Sequence, residues 1–283
     1  MTNISLDLSN KLPAEQVDII RQVLHVSTTH GISLFIVGAQ ARDLLLQYAY
    51  DMSVQRATND IDFGIVIESW DEYTSLRDAL INTERFQPHT TMKRRLIHKT
   101  GLIIDLVPFG DVEQPSGKIS WPPDFSFVMS TLGFREAYDN SIEVRLAGDL
   151  IVKAASLAGL ALMKIIAWDN RRFERDAQDF GLIMRQYLDA GNQSRVTGDK
   201  AEHSDLLDDN FDYSLASARV LGRDVGKLLS ERSMAPVLTI LEEQSADTNY
   251  YPLVNAMRGS FHDEFDRALA MFESFRKGVL DTC

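Results

Sequence analysis

The spacing of apolar residues changes along the chain, and this change limits the fold more than any other feature. In the first half, short apolar runs such as Leu34 to Val37 and Ile61 to Ile67 have the length of buried strands. In the second half, apolar residues recur every three or four positions, as over Leu157 to Asp169, which is typical of amphipathic helices. The sequence therefore predicts an α+β protein: a mixed sheet with flanking helices in residues 1–150, then an all-helical domain over residues 151–283.

Charge and cysteine content exclude several classes of protein. The 283 residues include 29 Lys and Arg against 41 Asp and Glu, and residues 201–283 hold 8 of the basic and 15 of the acidic ones. The lone cysteine, Cys283, excludes a disulfide framework and a zinc site built on several cysteines. No apolar run approaches the roughly 18–20 residues needed to span a bilayer, and no secretory signal pattern is visible, so we expect a cytoplasmic protein without a membrane partner.

Two aspartates at the start of the second strand form the first candidate site. Side chains alternate between the two faces of a strand, so Asp60 and Asp62 point the same way while Ile61 and Phe63 pack behind them. Two neighbouring carboxylates repel each other, and a divalent cation such as Mg²⁺, which prefers carboxylate oxygens, removes that cost. The alternative is a strand start whose aspartates simply face solvent.

A third aspartate lies in the middle of an apolar strand. Burial of an unpaired carboxylate costs several kcal/mol, so Asp105 needs a partner. One interpretation places Asp105 beside Asp60 and Asp62 in a cluster that holds one or two Mg²⁺ ions. The other pairs Asp105 with Arg94 or Arg95 of the preceding strand.

A glycine turn connects the first buried strand to a helix. Gly38 and Ala39 begin this helix, whose free backbone N–H groups are a favourable environment for phosphate oxygens. Arg56 and Thr58 come just before the strand of Asp60, where an arginine could bind a phosphate with two hydrogen bonds. A strand-to-helix turn at glycine is common in proteins, so this feature counts only together with the aspartates.

A second polar string lies on two consecutive helices of the second half. Lys164 precedes a short turn, and Asp176 and Asp179 share a face of the helix that follows. Helices joined by a short turn pack antiparallel, which can set Lys164 opposite Asp176. The alternative to a catalytic role is an ordinary ion pair that joins the two helices.

Together these strings resemble a known family. The segments from Phe35 to Leu46 and from Arg56 to Phe63 resemble the nucleotidyltransferase (DNA polymerase β-like) superfamily, and the Arg-x-Thr-x-Asp-x-Asp string is similar to AbiEii/AbiGii-type toxins. The segment from Leu160 to Asp179 resembles the second motif of the same toxins. Ala39 departs from the family pattern, which usually has a second glycine or a serine there.

The resemblance implies a Mg²⁺-dependent nucleotidyltransferase that moves an NMP from an NTP to an acceptor hydroxyl, on a tRNA 3' end or on a protein. It also implies that an antitoxin partner could exist. Alternatives are a small-molecule nucleotidyltransferase of the antibiotic-modifying type and an inactive nucleotide-binding regulatory module. The catalytic residues it implies are Asp60, Asp62, Asp105, Lys164 and Asp176, the first three as metal ligands; the nucleotide-binding residues are Gly38, Ala39, Arg56, Thr58, Lys164 and Arg175.

Overall fold

The computed structural model describes residues 5–54, 60–199, 201–208, 210–244, 246 and 250–282. This part of the chain has the predicted α+β architecture, with a mixed sheet first and helices after it. It divides into two compact units, and the division falls between Ser156 and Leu157.

The first unit is built on an eight-stranded sheet. Its strands are β1 (Ser5–Asp7), β2 (Leu34–Val37), β3 (Asp60–Ile67), β4 (Phe86–Pro88), β5 (Arg95–His98), β6 (Ile103–Gly110), β9 (Ile142–Ala147) and β10 (Leu150–Ala154). Their order across the sheet is β1-β9-β10-β2-β3-β6-β5-β4. The central strands β3 and β6 are parallel, whereas β2 and β5 run antiparallel to them on either side. The two long strands thus form the centre of the sheet, and the aspartates of the candidate site lie near the start of each, Asp60 and Asp62 on β3 and Asp105 on β6.

Helices accompany this sheet. They are α1 (Ala14–Thr29), α2 (Gly38–Asp43), α3 (Trp70–Asn82) and α4 (Phe134–Asp139). The side chains of Ile61 and Phe63 on β3 are fully buried, as are their register partners Ile104 and Leu106 on β6. These apolar residues alternate with the aspartates, so one face of the sheet is a continuous core.

The opposite face of the central strands is divided between an aromatic end and a polar end. Phe35 and Phe109 meet edge to face with ring centroids 5.8 Å apart, and Phe134 and Tyr138 of α4 contact both rings. Such edge-to-face contacts stabilise the fold beyond the contribution of the buried apolar area alone. The aromatic cluster covers this face up to Gly64, and the aspartates occupy the remaining end.

Several short elements differ from the sequence prediction. The Gly, Pro and Ser residues between Gly110 and Pro123 predict a loop, but Lys118–Ser120 within it forms a strand, β7, that pairs with β8 (Val128–Ser130). Only Ile119 of β7 is buried, so its apolar pattern is too short to predict a strand. The helix after the glycine turn begins at Gly38, as predicted, and continues beyond Asp43 as a π-helical segment, Leu44–Ala49.

The second unit consists of helices. They are α5 (Leu157–Arg171), α6 (Glu174–Gln186), α7 (Ser194–Thr197), α8 (Tyr213–Leu228), α9 (Glu231–Gln244), α10 (Pro252–Met257) and α11 (Phe265–Leu280). Phe180 of α6 and Phe275 of α11 form an edge-to-face pair at 5.0 Å in the centre of this unit. Over the described part of the chain, none of the helices combines the length and the apolar character that crossing a bilayer requires.

Helices α8 and α11 cross at very short distance because glycines lie at the crossing. A Cβ atom placed on Gly222 would be 2.1 Å from the backbone oxygen of Phe275, and one on Gly278 would be 2.2 Å from that of Arg219. Backbone atoms cannot move aside as the end of a side chain can. The two helices can therefore approach this closely only with glycine at both positions.

We expect Gly222→Ala to lower the free energy of unfolding of the protein by about 2 kcal/mol or more, because overpacking against backbone forces the helices apart. Gly259→Ala is the matched control, since the nearest atom to its added Cβ is the end of the Gln178 side chain at 3.4 Å. Urea unfolding followed by circular dichroism measures both variants. Equal stability of the two variants would show that the crossing tolerates a methyl group.

Candidate active site

A row of charged residues crosses three neighbouring strands. Asp62 of β3 is the register partner of Asp105 on β6, and Asp105 is the register partner of Arg95 on β5. Residues paired in this way present their side chains on the same face of the sheet. The strand register therefore brings together groups that are far apart in the sequence.

Asp60 and Asp62 lie on this same face, as the strand alternation predicted. Both side chains are half-buried, with that of Asp60 39% exposed, whereas Ile61 and Phe63 between and after them are fully buried. Hard carboxylate oxygens that solvent can reach are the ligands that Mg²⁺ prefers, and one or two carboxylates suffice when substrate phosphates supply further oxygens. The pair therefore fits a magnesium ion by its chemistry.

Asp105 has the arginine partners that were the alternative to metal binding. Arg95 donates from Nε to Oδ1 at 2.8 Å and from a terminal nitrogen to Oδ2 at 2.9 Å, a two-point contact. Arg94 adds a longer contact from Nε to Oδ2 at 3.3 Å. The Asp105 side chain is only 5% exposed, so this pairing compensates the cost of its burial.

Arg95 also reaches the first of the paired aspartates. Its terminal nitrogen lies 3.8 Å from Oδ2 of Asp60. The hydrogen bonds with Asp105 raise the pKa of Arg95 above its ordinary value, burial opposes this, and the charges of Asp105, Asp60 and Asp62 add to it. A fixed positive charge thus lies among the three carboxylates. Within the described residues, no group of three or more His, Cys, Asp or Glu side chains is arranged to hold a metal ion.

Gly38 brings the start of α2 against Asp62. A Cβ atom added to Gly38 would be 2.1 Å from Oδ2 of Asp62 and 3.0 Å from its Cγ. This close approach follows from the antiparallel register of β2 and β3, in which Val37 faces Asp62. Gly38 also has a φ of +66°, which side chains disfavour. The position is therefore restricted to glycine for two separate reasons.

We expect Gly38→Ala to lower the free energy of unfolding by roughly 2–4 kcal/mol, the sum of backbone strain and displacement of the Asp62 carboxylate. Gly31→Ala is the control, because Gly31 has a similar φ of +69° and no neighbouring atom within 4 Å of the added Cβ. It should cost about 1 kcal/mol, from strain alone. Chemical denaturation of both variants isolates the contribution of the contact with Asp62; identical losses would contradict it.

The second polar string forms an ion-pair cluster inside the helical unit. Lys164 of α5 donates to Asp176 at 3.1 Å and to Asp179 at 2.6 Å, both on α6, as the antiparallel arrangement predicted. Arg171 contacts both oxygens of Asp176, at 2.6 and 2.8 Å. Burial raises the pKa of Asp176, but the hydrogen bond from Arg171 and the charges of Lys164 and Arg171 outweigh it, so this pKa lies below its ordinary value.

The remaining predicted residues are placed as follows. Arg175 is exposed and lies over the ring of Phe173 at 5.1 Å from its centroid. Ala39 is half-buried in the first turn of α2. Arg56 and Thr58 lie outside the described residues. The nucleotide-binding roles of these residues stay predictions: Gly38, Ala39, Arg56, Thr58 and Arg175.

Two features of the site were not predicted from the sequence. One is the contact of Arg95 with Asp60, and the other is the close approach of Gly38 to Asp62. Both join residues of different strands, so they depend on the order and register of the sheet. An apolar or polar pattern within a single segment carries no signal for either contact.

No known protein family matches the chain, and no curated protein matches it. Among solved structures, it is similar to the solution structure of the antibiotic-resistance factor ANT(2'')-Ia, with 16% identity over 69% of this chain and all of that chain, at a TM-score of 0.38. The crystal structure of ANT(2'')-Ia in complex with adenylyl-2''-tobramycin aligns with 17% identity over 65% of this chain and all of that chain, at a TM-score of 0.39. A likeness of this size supports no substrate and no residue role.

Proposed function

We propose that the chain is a Mg²⁺-dependent nucleotidyltransferase, which moves an NMP from an NTP to an acceptor hydroxyl and releases pyrophosphate. The observation that carries this proposal is the pair Asp60 and Asp62, which share one face of a central strand, with Asp62 directly against the glycine turn at Gly38. The residue pattern around these positions, which resembles the nucleotidyltransferase superfamily, points to the same chemistry.

In this proposal the chain's residues have separate tasks. Asp60 and Asp62 hold the cation, which supplies positive charge to the triphosphate and polarises the acceptor hydroxyl when bound. Gly38 leaves room for the Asp62 carboxylate beside the start of α2. A metal or the acceptor proton at Asp105 would share this carboxylate with Arg95, which already donates to both of its oxygens.

We infer that the acceptor is a tRNA 3' end or a protein hydroxyl, on the resemblance to AbiEii/AbiGii-type toxins, and that the helical unit selects it. Lys164, Asp176 and Arg175 keep the active-site roles that the resemblance implies as predictions. A cytoplasmic location and an antitoxin partner belong to the same hypothesis. The alternative acceptor is a small hydroxyl compound of the antibiotic type.

The test is incubation of the protein with Mg²⁺ and each labelled NTP, in parallel with total tRNA, total protein and an aminoglycoside. Label on one acceptor together with pyrophosphate release supports nucleotidyl transfer and identifies the acceptor class. Binding of an NTP by calorimetry without labelling of any acceptor would instead favour an inactive regulatory module. Absence of both binding and transfer would refute the proposal.

A further inference from the structure

The carboxylate site already contains a cation that belongs to the chain. The guanidinium of Arg95 makes a two-point contact with Asp105 on β6 and lies 3.8 Å from Asp60 on β3. Its side chain is 19% exposed, so solvent screens it less than a surface charge. Arg95 thus joins a buried carboxylate to one of the two half-buried carboxylates of the proposed metal pair.

The neighbouring Arg94 provides a comparison. It contacts Asp105 at 3.3 Å through a single nitrogen, and no contact with Asp60 accompanies it among the described ion pairs. The Arg94 side chain is also more exposed, at 26%. Both arginines can neutralise Asp105. Arg95 differs from Arg94 because it also lies near a second carboxylate, that of Asp60.

We propose that Arg95 is a positioning residue that acts as the resident counter-charge of Asp60 and Asp105 and thereby sets the affinity of the Asp60–Asp62 pair for divalent cations. This inference rests on the proposed function. A positive charge a few ångströms from a cation site opposes cation binding, and a cation that binds Asp60 replaces the contact of Arg95 with it. Arg95 therefore keeps the pair only weakly attractive to cations until a substrate supplies further oxygens.

The test measures binding of Mn²⁺ alone to the 283-residue chain, with electron paramagnetic resonance of free Mn²⁺ as the readout. We expect Arg95→Gln to tighten Mn²⁺ binding by about tenfold or more, the change that follows from removal of a unit charge at this range. Arg95→Lys should stay close to the wild type, because it keeps the charge. Arg94→Gln is the matched control and should change the affinity by less than about threefold.

A second comparison covers the case in which Arg95→Gln fails to fold, since it leaves Asp105 buried with a weakened partner. Asp105→Asn alone should weaken Mn²⁺ binding, because Arg95 then keeps Asp60 as its main partner. The double variant Arg95→Gln with Asp105→Asn removes both charges of the buried pair. It should bind Mn²⁺ about tenfold more tightly than Asp105→Asn does.

The outcomes separate this inference from the proposed function. If Asp60→Asn with Asp62→Asn abolishes Mn²⁺ binding but Arg95→Gln leaves it unchanged, the metal pair stands and the role of Arg95 is refuted. If the Asp60 and Asp62 variants bind Mn²⁺ like the wild type, the metal pair itself is refuted. Equal tightening by Arg94→Gln and Arg95→Gln would show a general charge effect and would overturn the assignment to Arg95.

Discussion

Asp60→Asn and Asp62→Asn, made separately, are each expected to lower nucleotidyl transfer by about 10³-fold or more. Each variant removes one of two carboxylates that hold the cation in the proposed site, and several kcal/mol of charge stabilisation depend on that cation. The measurement is label transfer from an NTP to the identified acceptor at saturating Mg²⁺. Pyrophosphate release should fall in parallel.

The fold should survive these changes. Both side chains are half-buried, and asparagine has nearly the same shape as aspartate; the relief of repulsion between the two carboxylates offsets the weakened contact of Arg95 in Asp60→Asn. We therefore expect a melting temperature close to that of the wild type. Asp78→Asn is a suitable control, because Asp78 is an exposed aspartate on α3, 56% accessible, and the variant should transfer at the wild-type rate. Full transfer by both site variants would exclude the metal assignment.

Asp176→Ala is expected to cost about 3–5 kcal/mol in the free energy of unfolding of the helical unit. Asp176 is fully buried and is shared by Lys164 and Arg171; its removal leaves a cavity, leaves Lys164 with Asp179 alone and takes the carboxylate partner of Arg171 in this cluster away. Hydrogen exchange of the amides in α5 and α6 measures this loss within the unit itself. Arg171→Ala should cost much less, about 1 kcal/mol, because the Arg171 side chain is 43% exposed.

The ion pairs of Asp176 also make the stability of the helical unit depend on pH. The pKa of Asp176 is lowered in the folded protein, so its contribution is fully present above the ordinary aspartate pKa, about 3.9, and is lost as the pH falls through the folded value. The difference in stability between the wild type and Asp176→Ala should therefore be constant from pH 5 to pH 8 and should shrink only in acid. A difference that shrank near neutral pH would contradict this assignment.

The elements with a strong apolar pattern were predictable from the sequence. Strand β2 has the predicted bounds, Leu34–Val37, and β3 begins one residue before the predicted start at Ile61. Strand β10 was not predicted; it pairs along its length with the neighbouring strand β9 across the turn at Gly148, and with β2 at Ala154, opposite Ile36. Local patterns predict the segments that are long or strongly periodic, whereas a short strand such as this one is defined by its pairing with other strands.

The candidate site was predictable to the same extent. The shared face of Asp60 and Asp62 follows from the two-residue period of a strand, and the ion pair of Lys164 with Asp176 follows from an antiparallel helix pair. For Asp105 the sequence left two interpretations open, metal binding or pairing with arginine, and the arginine contacts are present. A choice between such partners requires the sheet order, which a single sequence does not reveal.

The row that crosses β3, β6 and β5 also protects the sheet against misfolding. Because side chains alternate, a slip of β6 by one residue would turn Asp105 toward the apolar face that Ile61 and Phe63 form. The carboxylate would then lose Arg95 and enter the core without a counter-charge, at a cost of several kcal/mol. Val, Ile and Leu side chains alone would tolerate such a slip far better. The charged side chains therefore favour one register of the central strands over the registers shifted by one residue.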